Sequence, residues 1–87
     1  MRLELFTSAF CEPCHRARDV VAEAARLVSA LHWEDLDVAH HLERAESRGV
    51  TRTPTVVILD DDGEVVIQAD GVPPLPRLLA ALASAAD

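Results

Sequence analysis

Phe10-Cys11-Glu12-Pro13-Cys14-His15 holds both cysteines of the 87-residue chain and lies where an apolar run gives way to a helical pattern. Leu3, Leu5 and Phe6 give the preceding segment a strand-like composition, and Thr7 to Phe10 reads as a loop. Pro13 suits the first turn of a helix, where its missing N–H costs nothing. With Cys11 closing the loop and Cys14 in the opening helical turn, the two sulfurs come within disulfide reach. Free N–H groups and the positive dipole end at a helix N-terminus favour a thiolate at Cys11, lowering its pKa below the free value of about 8.5. The thiolate is the nucleophile, and Cys14 is placed to resolve a mixed disulfide formed on Cys11.

Outward from this stretch, Arg2 to Phe6 reads as a short buried strand. From Pro13 to about Ala30, Ala17, Val20, Val21, Ala24, Leu27, Val28 and Leu31 recur at helical spacing, long enough for a crossover helix packed across a sheet. Trp33 to Val38 reads as a second, parallel strand with Glu34, Leu36 and Val38 on one face. His40 to Arg48 suits a short helix that turns Leu42 and Ala45 inward and stops at Gly49. Thr55 to Leu59 is a β-branched strand, Asp60-Asp61-Asp62-Gly63 a turn, and Glu64 to Ala69 its antiparallel partner. Val72-Pro73-Pro74 leads stiffly into a last helix, Leu75 to Ala86, with Leu78, Leu79 and Leu82 toward the sheet. The order β-α-β-α-β-β-α defines an α/β fold, a mixed four-stranded sheet with helices on both faces, in a single domain over residues 1–87.

Composition bounds the function. Hydrophobic residues make up 49% of the chain, enough for a core, but with only Phe6, Phe10 and Trp33 as aromatics that core must be built from Leu, Val, Ile and Ala. A net charge of -7, with eight arginines and no lysine, argues against nucleic acid as a partner. The first six residues lack the apolar centre of a signal peptide and no segment approaches transmembrane length, so the expected setting is cytoplasmic, away from membranes. In that reducing compartment a lone cysteine pair points to catalysis or metal binding before a structural staple.

The element order, the Cys-x-x-Cys at the first strand-to-helix junction and Thr53-Pro54 just before the third strand together resemble the thioredoxin superfamily. The likeness runs over nearly the whole chain, whose length is similar to glutaredoxins and small thioredoxin-like proteins. It implies a thioredoxin-like fold with Cys11 as the exposed attacking cysteine and Cys14 as the buried resolving one. It also implies a cis-proline at Pro54 facing the pair, and a strand-ending glycine near Gly71. Phe10 stands where thioredoxins carry tryptophan. With Thr53, Pro54 and Gly71 it is the expected substrate-binding set, the Thr53 backbone offering hydrogen bonds to an extended chain. Glu12, Pro13 and His15 are the expected tuners of the cysteine pKa. Glu12 disfavours a neighbouring thiolate, whereas the helix terminus and a protonated His15 favour it, which points to a reducing couple near thioredoxin's. Leu5, six residues before Cys11, replaces the carboxylate that thioredoxins bury there. For the glutathione contacts of glutaredoxins there is neither tyrosine nor lysine, only Arg16 and Arg52.

The implied activity is that of a monomeric protein-disulfide reductase with no dissociable cofactor. Its electrons come from a flavin-dependent reductase or another thioredoxin-like protein, and it serves electron transport and cell redox homeostasis. Two other readings stay open at this point: a glutaredoxin-like monothiol enzyme acting on glutathione mixed disulfides through Cys11, and a non-catalytic module binding a metal or protein. Only His15, His32, His40 and His41 could complete a zinc site with the cysteines. The Asp60–Gly63 run lacks the spaced ligands of a calcium loop.

Overall fold

The computed structural model describes residues 1–86. In it the chain runs β1 (Arg2–Thr7), α1 (Glu12–Leu27), β2 (His32–Asp37), α2 (Leu42–Ser47), β3 (Thr55–Leu59), β4 (Val65–Asp70) and α3 (Leu75–Ala86). The strands form one sheet in the order β2-β1-β3-β4. β1 pairs in parallel with β2 and antiparallel with β3, which pairs antiparallel with β4. The inner strands β1 and β3 are therefore buried almost throughout, while β4 at the edge is mostly exposed. This is the expected mixed sheet, with strand ends displaced by a residue.

Alternation along β1 divides the core between the two faces. Leu3 and Leu5 pack with Ala17, Val21 and Ala24 of α1 and with Leu78 and Leu82 of α3. Phe6, on the other face, packs with Leu36, Val57, Leu59 and Ala45 of α2. Removing each of these Leu, Val and Phe side chains from water stabilises the fold by about 1.5–3 kcal/mol, and each alanine by less.

Two helices depart from the expected boundaries. α1 ends at Leu27, short of Ala30, because Val28 is already extended while its N–H still bonds the Ala24 carbonyl. Leu27 is 55% exposed, so it is not part of the sheet-facing stripe. α2 starts at Leu42 and not at His40. The N–H groups of His40 and His41 turn back to the Asp37 carbonyl, and that of Ala39 bonds the Asp37 carboxylate, so this stretch forms a turn. Leu42, expected inward, is 58% exposed; only Ala45 of α2 is buried.

Glu4 is the buried charge of the sheet, at 3% exposure. One carboxylate oxygen accepts from Arg48 Nε at 2.8 Å, the other from Arg44 at 2.5 Å and Arg48 at 3.4 Å. Arg44 also reaches Glu34 at 3.0 Å, which Arg2 engages at 3.0 Å. Burial pushes the Glu4 carboxyl up, but the hydrogen bonds and charges of Arg48 and Arg44 outweigh burial and hold it below its ordinary value of 4.5. A carboxyl depressed on folding contributes stability that is full above its unfolded pKa and is lost as pH falls through the folded one. Urea midpoints are therefore expected to be level near neutrality and to fall below about pH 4.5, with a shallower acid limb in Glu4→Gln.

Candidate active site

Parallel pairing of β1 with β2, and antiparallel pairing of β3 with β1 and β4, bring four chain segments to one end of the sheet: 8–11, 38–41, 52–54 and 71–74. The cysteines lie there. Cys11 is the N-cap of α1, with extended backbone, and its sulfur accepts the Cys14 N–H at 3.2 Å. A sulfur in that position meets an otherwise orphan donor and the positive end of a 16-residue helix, both of which favour the thiolate once the pair is reduced. Pro13 sits in the first turn, where no N–H is needed. Cys11 and Cys14 are joined as a disulfide with Cα atoms 5.2 Å apart. Cys14 is fully buried and Cys11 partly open, an asymmetry that leaves one sulfur for an incoming group.

Phe10 takes the left-handed backbone, at φ 56°, and its side chain is fully exposed. For a bulky residue this conformation costs about 1–2 kcal/mol. Its effect here is a sharp turn that delivers Cys11 to the helix start and leaves the ring in solvent.

The Thr53-Pro54 bond is cis. This segment is braced on both sides. Thr53 Oγ1 and Ser8 Oγ lie 2.7 Å apart, tying it to the loop that carries the cysteines. The Pro54 carbonyl accepts the Gly71 N–H at 2.8 Å, and the Thr55 hydroxyl shares its proton between the Arg52 carbonyl at 2.7 Å and Asp70 at 3.1 Å. Gly71 has φ 90°, a conformation that favours glycine at the strand end. Thr53, Pro54 and Gly71 thus form one braced ledge. Beside it a cavity of about 290 Å³ opens between Ser8, Thr53 and α2.

Glu12 is exposed in the first turn of α1. His15 turns toward Arg18, with Nδ1 3.4 Å from the guanidinium; because arginine only donates, Nδ1 is the acceptor of that contact. Arg18 in turn donates to Asp35 at 2.5 Å, and Asp35 accepts from Thr7 at 2.8 Å. Leu5, fully buried, pairs in register with Asp35. Arg52 is mostly exposed, its Nε 3.8 Å from Asp70. Among the described residues, no three His, Cys, Asp or Glu side chains gather into a metal-binding group. No described helix is long and apolar enough to cross a membrane. Ser8, Thr55 and Asp70 were not legible as site residues, since the braces they make join segments 15 to 45 residues apart.

A helix-capping cysteine bonded to a buried one, set beside a cis-proline ledge on a four-stranded α/β sheet, defines a dithiol–disulfide redox protein. No family model matches the chain. Thioredoxin from Methanocaldococcus jannaschii is 36% identical over 62 residues, covering 70% of this chain and 73% of that protein. Among solved structures, a variant thioredoxin from Halobacterium salinarum superposes with a TM-score of 0.89 at 27% identity, over 99% of this chain and 74% of that one. Fasciola hepatica thioredoxin has the same fold, with a TM-score of 0.86 at 24% identity, over 98% of this chain and 80% of that one. The chain belongs to the thioredoxin family. It is a thiol–disulfide oxidoreductase of the protein-disulfide reductase kind.

Proposed function

We propose that this domain, spanning residues 1–87, reduces protein disulfides through Cys11 as attacking and Cys14 as resolving cysteine. The observation that carries this is the Cys11 sulfur at the α1 N-cap, accepting the Cys14 N–H while Cys14 itself is buried. In the reduced protein, the Cys11 thiolate attacks one sulfur of a substrate disulfide. A Cys11–substrate bond forms, the substrate disulfide breaks, and its leaving thiolate takes up a proton. The Cys14 thiol then loses its proton and attacks the Cys11 sulfur, releasing the second substrate thiol and closing Cys11–Cys14. Two electrons pass to the substrate. A flavin-dependent reductase or another thioredoxin-like protein returns them.

The substrate chain runs along Thr53-Pro54, using the Thr53 backbone for strand-like hydrogen bonds, with Phe10 and Gly71 flanking it. Glu12, Pro13 and His15 tune the pair, Glu12 by opposing charge and Pro13 by fixing the first turn. The domain works as a monomer in the cytoplasm, the compartment in which a dithiol stays reduced. Cys14→Ser tests the dithiol mechanism. Turnover is expected to stop with the substrate held on Cys11 as a mixed disulfide, seen by mass; continued turnover on glutathione mixed disulfides would favour a monothiol enzyme instead.

A further inference from the structure

We propose that Glu4 is a positioning residue for substrate binding. Its ion pairs with Arg44 and Arg48 hold α2 and the loop after it as one wall of the cavity beside Thr53-Pro54. The inference rests on the reading above that a protein substrate docks at that end of the sheet.

α2 has six residues, too few to hold a helix by themselves. Its apolar anchorage is Ala45 alone, since Leu42 is largely exposed. What fastens it is polar. Arg44 and Arg48, one turn apart, both reach the carboxylate of Glu4 beneath them, and Gln68 donates to the Arg48 carbonyl at 2.7 Å. At 3.6 residues per turn, the two arginines lie on one arc of the helix and Leu42 and Glu46 on another. That second arc lines the cavity, together with Ala45, Thr51 and Thr53. The loop follows the helix, because the Gly49 N–H bonds the Glu46 carbonyl at 3.0 Å and the Val50 N–H bonds that of Ala45 at 2.9 Å. Glu4 therefore grips α2 on one side and sets the cavity wall on the other. Loss of its charge leaves Arg44 to Glu34 and releases Arg48, and the wall loses its fixed place.

The test compares the full chain and its Glu4→Gln variant on insulin, a protein-disulfide substrate, and on hydroxyethyl disulfide, which is too small to need the cavity wall. Glu4→Gln is expected to raise KM for insulin about five- to tenfold with kcat held, the mark of lost uniform binding. Its rate on hydroxyethyl disulfide and the midpoint potential of the cysteine pair are expected to stay at wild-type values. An unchanged KM for insulin overturns the proposal, as does an equal loss on both substrates, which makes Glu4 a residue of fold stability only. If Glu4→Gln does not fold, Arg48→Lys takes its place, with KM raised about two- to threefold expected and an unchanged KM overturning the proposal. Should the wild-type chain reduce neither substrate, the underlying reading fails and this inference falls with it. A wild-type chain active on insulin beside an unaffected variant rejects the inference alone.

Discussion

Replacing Cys11 with serine is expected to lower protein-disulfide reduction by roughly a thousandfold or more, since the attacking group of a unit that acts together is removed. Among the described residues, no other exposed thiol lies near the α1 N-terminus to take its place. Serine at the N-cap still accepts the Cys14 N–H, so the helix start and the fold are retained. Cys14 is fully buried and cannot meet a substrate disulfide directly. A matched urea midpoint beside a lost rate separates chemistry from stability. Residual turnover within tenfold of wild type would remove Cys11 from the mechanism.

The second large effect lies on the opposite side of the sheet. Removing both Arg44 and Arg48 as alanines leaves the Glu4 carboxylate buried without a cationic partner, which costs about 3–5 kcal/mol. Adding Glu4→Leu to that pair is expected to recover most of the loss, because the penalty is the unpaired charge and not the missing arginines. Urea denaturation measures both. A loss under about 1 kcal/mol in the double variant would mean that these contacts behave as exposed surface pairs.

What could be read before the structure follows the range of the forces involved. β3 and α3 carry their signals locally, in the β-branched run Thr55–Leu59 and the Leu78, Leu79, Leu82 spacing, and both elements fall where periodicity places them. The end of α1 carried no such signal, as no glycine or proline follows Leu27, and the apolar Val28 and Leu31 prolonged a helical pattern that the backbone had already left. In the second helix, Leu42 looked inward by spacing alone. A six-residue helix anchored by ion pairs has no need of an inward leucine there. Glu4 was unreadable for another reason. Its partners are 40 and 44 residues away, and nothing in the local run Arg2 to Phe6 signals that two arginines on and just past α2 lie over this carboxylate. The cysteine motif could be read because its chemistry is local, and Thr53-Pro54 through the family resemblance; the Ser8, Thr55 and Asp70 braces carried neither signal.

Disulfide reduction by this chain stands or falls with the midpoint potential of the Cys11–Cys14 pair, found by equilibrating the protein in thiol–disulfide buffers and counting alkylated cysteines by mass. The exposed Glu12 offsets the helix terminus, so a reversible two-electron transition between about -300 and -200 mV is expected. A potential above about -180 mV, or cysteines that show no transition, would contradict it.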